Sequence, residues 1–154
     1  MTDASQRLEG SRLEGFGGWL MLIALGQWAS LLWSAAELLL DVPDYLARWA
    51  DPALHRAVMG EAALEVGLLG FMLYTTVMMA LRRHEFPTLF RLQVALLVVV
   101  PLLSTWWESK ATGQALQGLA FAGTAAGAVF GVIGASLSIL YSLRSARVRN
   151  TFVY

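Results

Sequence analysis

The sequence has no cysteine, which excludes disulfides, thiol catalysis and thiolate metal sites and leaves the redox compartment open. It is also poor in charge. Asp, Glu, Lys and Arg make up 14% of the chain, where an ordinary soluble domain carries roughly a quarter. Acids and bases balance to a formal net charge of zero, so no global field draws the chain to nucleic acid or to an acidic surface. There is no internal repeat, no low-complexity tract and no linker long enough to divide the chain. Residues 1–154 therefore read as one domain.

Apolar surface is what abounds. Hydrophobic residues form 57% of the chain, and the mean hydropathy is +0.58. Four apolar runs dominate, at about 17–40, 62–81, 89–107 and 115–141. Each is close to the ~20 residues a helix needs to cross a ~30 Å hydrocarbon core. The expected fold is all-α, a bundle of four transmembrane helices in one integral membrane domain. A soluble bundle would lack the polar surface to cover four such helices. A signal peptide would need a shorter apolar region than the first run, which continues through Leu38, Leu39 and Leu40 past the small residues Ser34 and Ala36.

Four spans place the N-terminus, the second connection and the C-terminus on one side. That side holds Arg7, Arg12, Arg82, Arg83, Arg91, Arg144, Arg147 and Arg149, and the other holds only Arg48, Arg56 and Lys110. Basic residues collect on the cytoplasmic side, so both termini are expected there, in the inner membrane of a bacterium. Arg82, Arg83, Arg91, Arg144, Arg147 and Arg149 are the expected topology anchors. Each basic residue near an anionic leaflet gains roughly 1 kcal/mol. Phe152 and Tyr154 are expected at headgroup level. A partner-binding tail is the alternative use of the same residues.

The connections read as short, with one longer outer loop. Arg82–Phe90 is expected to turn tightly, because Pro87 disfavours a helix running through Glu85 and Phe86. Asp41–Gly60 is the longer outer connection. In it, Tyr45, Leu46 and Trp49 suggest a piece lying in the interface, while Asp51 and Pro52 look like the N-cap and first position of the second helix.

Helical residues advance ~100° each, so shared faces can be read off. Gln27, Ser30, Ser34 and Glu37 share one on the first helix. Glu61, Glu65, Met72 and Thr76 share one on the second, and Gln93, Ser104 and Glu108 one on the third. Gln117, Thr124, Gly127, Gly131, Ala135, Ser138 and Ser142 share one on the fourth. These stripes should face one another, since polar groups turned to lipid are costly. Gln27, Glu37, Glu65, Glu108 and Gln117 are thus the candidate polar interior and outer cluster. Gly123, Gly127, Gly131 and Ala135 form a row of small residues for close helix packing, against an internal partner or a second chain.

Glu37, Glu65 and Glu108 all lie toward the outer ends of their helices, near Arg48, Arg56 and Lys110. They read as a cap of paired charges, with an outward pocket for a ligand or proton as the sharper alternative. Gln27, near mid-membrane, reads as helix-to-helix glue. His55 and His84 fall on opposite sides and cannot share a metal within one copy. No Ser-His-acid set and no phosphate-cradling loop is evident. The chain reads as a non-enzyme without catalytic, cofactor-binding or metal residues and without a cofactor.

Three stretches carry a resemblance: "GFGGWL" (Gly15–Leu20), "RRHEFPTLF" (Arg82–Phe90) and "SLRSARVRNTF" (Ser142–Phe152). In this order the chain resembles, over nearly its whole length, the bacterial membrane family catalogued as domain of unknown function 2569. The resemblance implies a small inner-membrane protein with four spans, and no established activity or catalytic residue. The leading expectation is an accessory or interaction component. Its partners would be the lipid bilayer and another membrane protein or a second copy, with no nucleic acid. The runner-up is a small oligomeric transporter or channel using the polar faces.

Overall fold

The computed structural model describes residues 18–52, 54–113 and 121–152, and of residues 19, 121–131, 146, 147 and 149 it describes the backbone alone. Helix α1 runs Trp19–Trp49, α2 His55–Ala80, α3 Phe86–Thr112 and α4 Phe121–Arg144, followed by the short α5, Ala146–Thr151. No strand occurs among the described residues. Helices α1, α2 and α3 are each long and apolar enough to cross a bilayer, while the apolar part of α4 with described side chains, Val132–Arg144, is shorter.

Burial departs from that of a soluble protein, with polar residues buried beside apolar ones and large apolar residues exposed. Gln27, Thr75, Thr76 and Gln93 are buried, while Leu32, Trp33, Leu39 and Leu40 are exposed. That distribution suits a hydrocarbon surrounding: polar groups need partners inside, and leucine loses nothing by facing lipid.

Three local readings are corrected. First, 41–60 is not mainly loop. α1 continues through Pro43 to Trp49. Pro43 forgoes the bond to the Leu39 carbonyl and its ring crowds that carbonyl, while Arg48 Nε contacts Asp44 Oδ2 at 2.8 Å one turn apart, bracing the last turns. Second, α2 starts at His55 with Leu54 as N-cap. Asp51 and Pro52 stay in the turn before it, where the Asp51 carbonyl accepts from Leu54 N at 3.0 Å. Third, Pro87 does not delay α3, which begins at Phe86 with Pro87 in its first turn, where a missing N–H costs nothing. The reversal is made by 81–85 instead, with Arg82 at φ 53.

The largest correction concerns the C-terminal segment. Ser145 breaks α4 with extended backbone (φ −72, ψ 117), caps α5 by accepting from Val148 N, and sends the chain back under the bundle. Phe152 is 5% exposed, and its ring centroid lies 4.5 Å from that of Phe86. The ring packs inside the protein and is not turned outward as an interfacial ring would be. Leu20, Met79, Phe86, Phe90, Val94, Val148 and Phe152 form one buried apolar cluster. This cluster seals the arginine-bearing end.

Candidate functional site: a polar furrow between α1 and α3

Helix α1 packs against α2 but makes little close backbone contact with α3 or α4 among the described residues, while α3 packs on both α2 and α4. A furrow is left along the inner face of α1. One polar network crosses it. Gln27 Nε2 donates to Gln93 Oε1 at 2.8 Å and to Thr76 Oγ1 at 3.0 Å. Gln93 Nε2 donates back to Gln27 Oε1 at 3.0 Å. Thr76 in turn donates to the Met72 carbonyl at 2.8 Å. Gln27, Thr76 and Gln93 are all buried. A buried amide must find partners or cost its desolvation, and here three helices supply them to one another.

On the acid-bearing side of this network lies an outer chamber of about 500 Å³. Its polar wall is Ser34, Glu37, Asp41, Glu65 and Ser104, with no basic residue among the described lining. Leu97 and Pro101 complete it on α3. Pro101 has no N–H for the Leu97 carbonyl one turn earlier, so that carbonyl is a spare acceptor near the chamber. On the arginine-bearing side lies an inner chamber of about 540 Å³, bounded by α1, α3 and α4 and lined mainly by apolar residues together with Gln27 and Gln93. Leu97 borders both chambers.

Above the outer chamber the charges gather on Arg48. Its Nη1 lies 2.9 Å from Glu61 Oε2 and 3.9 Å from Glu108 Oε1, and its Nε reaches Asp44. Arg48 Nε and Glu61 Oε2 are buried without an aligned hydrogen bond, so these are close charge contacts more than directed bonds. The Arg48 guanidinium also sits 5.2 Å from the Tyr45 ring centroid. Tyr45 donates its hydroxyl to Glu65 Oε2 at 2.6 Å.

The candidate residues distribute as follows. Gln27 is in the crossing network. Glu37 and Glu65 line the outer chamber. Glu65 takes a tyrosine as its partner where a basic residue was expected, and Glu108 joins the Arg48 group at its edge. Gln117 lies outside the described residues. Gly123, Gly127 and Gly131 lie in the α4 backbone, but their surroundings are outside the description. Ala135 packs against the apolar seal and borders the inner chamber. Arg82, Arg83 and Arg144 are exposed. Arg91 turns back on its own helix, donating to the Pro87 carbonyl at 2.8 Å and to Thr88 Oγ1 at 3.0 Å. The side chains of Arg147 and Arg149 lie outside the description.

Sequence reasoning did not single out Tyr45 as a partner for Glu65, nor Trp107, whose Nε1 donates to the Arg56 carbonyl at 2.9 Å with its indole laid over Gly60. The model of a family described as Protein of unknown function (DUF2569) matches residues 13–153. No curated protein and no solved structure matches the chain.

Proposed function

The chain belongs to the DUF2569 family, and on that premise we propose that it is a non-enzymatic integral membrane component that acts by association. In this reading it spans a bacterial inner membrane four times with both termini in the cytoplasm. The arginine split supports that orientation. The observation that carries the functional reading is the apolar seal. The acids that line the furrow, Glu37, Asp41 and Glu65, all belong to its outer chamber, and Leu20, Met79, Phe86, Phe90, Val94, Val148 and Phe152 stand between the furrow and the arginine-bearing end. A carrier of charge needs polar or ionisable steps along its route, and the buried polar residues beside this seal, Ser142 and Thr151, are uncharged.

A second reading, a small proton- or cation-coupled transporter, is favoured by the outer chamber, where Glu37, Asp41 and Glu65 face one cavity without a basic neighbour in its wall. Reconstituted vesicles separate the two. With a pH-sensitive dye trapped inside, the association reading expects proton flux no greater than in protein-free vesicles, with or without an imposed potential. Flux that is present in the parent and lost in Glu65→Gln would establish the transporter.

A further inference from the structure

The inner chamber holds unspent hydrogen-bonding capacity deep in the apolar layer. Gln27 lies near the middle of the 17–40 run, roughly 15–20 Å of helix from either end. A primary amide carries two N–H donors. Gln93 Nε2 gives one to Gln27 Oε1, and the other has no acceptor among the described residues, although Gln93 is 1% exposed. Ser30, Ser138 and Tyr141 line the same chamber, and their hydroxyls bond to no described residue. Several other hydroxyls in the helices are spent. Thr75, Thr76, Thr105 and Ser136 each return the hydroxyl to the carbonyl four residues back, the usual recourse of such residues in a helix. Ser34 and Ser104 also lack a described hydroxyl partner, but they line the outer chamber among its carboxylates; unspent donors beside hydrocarbon are the costly ones, and those of the inner chamber point to a guest that completes them.

The cavity also limits the guest. Its remaining wall is apolar, including Leu22, Ile23, Phe90, Val94 and Leu97. No charged side chain is among the described lining, so a charged guest would go unpaired at high cost. The chamber opens sideways, since Leu22, Gly26, Gly134 and Leu137 on its α1 and α4 rims are exposed. A phospholipid can lend only its tail here, because its ester carbonyls are held at the interface, about half of a ~30 Å core away.

We propose that the inner chamber binds a neutral, lipid-soluble molecule that joins a hydrocarbon chain to a carbonyl acceptor, as quinones do, entering between α1 and α4 and accepting a hydrogen bond from Gln93. This site does not depend on the association reading, since it concerns the apolar half of the furrow and requires no passage of charge.

The test uses the full chain in lipid nanodiscs and a decyl-chain benzoquinone carrying a diazirine on the chain. A diazirine alkane and a phosphatidylcholine with a diazirine in its acyl chain are the comparison probes. The quinone probe is expected to label the chamber wall saturably, with competition by untagged decyl-benzoquinone. Nothing lies within 4 Å of a Cβ built at Gly26 or Gly134, so a side chain can start at either position, and Gly134→Leu and, independently, Gly26→Leu are expected to occupy the chamber and abolish labelling. Thermal stability of each variant checks folding. Gln93→Leu should weaken the quinone probe about fivefold, the worth of one hydrogen bond to a buried amide, and leave the alkane unchanged. Equal, unsaturable labelling by quinone and alkane would overturn the proposal. So would labelling that survives both glycine substitutions in folded protein, or a phosphatidylcholine that labels the wall saturably and displaces the quinone.

Discussion

Gln27 on α1 and Gln93 on α3 exchange hydrogen bonds in both directions, at 2.8 and 3.0 Å, across a furrow that otherwise separates their helices. The pair is the main polar tie of α1 to α3. Its neighbour Thr76 adds α2 to the same knot.

Removing one amide strands the other. Gln27→Leu or Gln93→Leu alone is expected to cost ~1–2 kcal/mol in detergent thermal denaturation, the desolvation of an unsatisfied buried group. The double substitution should cost less than the sum of the two, since no amide remains unpaired and Thr76 keeps its bond to the Met72 carbonyl. Strict additivity would mean that the pair contributes nothing as a pair.

Arg48 holds three carboxylates from three helices, Asp44, Glu61 and Glu108. Arg48→Met leaves them to repel one another. The variant should be clearly less stable than the parent at neutral pH. Arg48→Lys, which keeps a cation in place, should recover part of the loss. An Arg48→Lys variant no more stable than Arg48→Met would show that the packing of Arg48, and not its charge, matters there.

Gly60 leaves room for the Trp107 indole, which a Cβ at that position would overlap. Gly60→Ala must push the ring aside and loosen its bond to the Arg56 carbonyl. A loss of roughly 1–3 kcal/mol is expected, as for overpacking in a filled core. Gly67→Ala and Gly70→Ala meet open space and should be neutral or slightly stabilising through helix propensity. Differential scanning in detergent distinguishes them.

Phe152 closes the apolar seal against Phe86. Phe152→Ala should lower stability by about 3 kcal/mol, in the range for a buried phenylalanine, whereas a merely interfacial ring would matter little. The check is chemical denaturation of the purified protein in micelles.

The helices and the polar stripes were legible in the sequence because both follow from periodicity. Gln27, Thr76 and Gln93 fall on stripes computed at ~100° per residue, and those stripes do meet. Phe152 was misread because an aromatic residue after an arginine cluster has the same local signature whether it lies in the interface or folds under the bundle. The difference is made at Ser145, where a single extended residue reverses the chain. Tyr45 was placed with Leu46 and Trp49 in an interfacial piece of the outer connection, yet α1 continues through Pro43 and brings the Tyr45 hydroxyl to Glu65. The fit of Trp107 over Gly60 joins residues far apart in the chain and depends on the register of α2 against α3, which no local pattern encodes.

The central claim is that the furrow opens to water only at its acidic end and is closed to water at the other by apolar packing. The absence of native cysteine makes single-cysteine labelling with a membrane-impermeant maleimide, applied to each face of sealed membranes, the most direct test. Ser34→Cys and Ser104→Cys, in the outer chamber wall, should react from the outer face alone, and Val94→Cys, within the seal, from neither. Reaction of Val94→Cys from both faces, or of Ser34→Cys from the cytoplasmic face, would contradict the account and show a polar path through the protein.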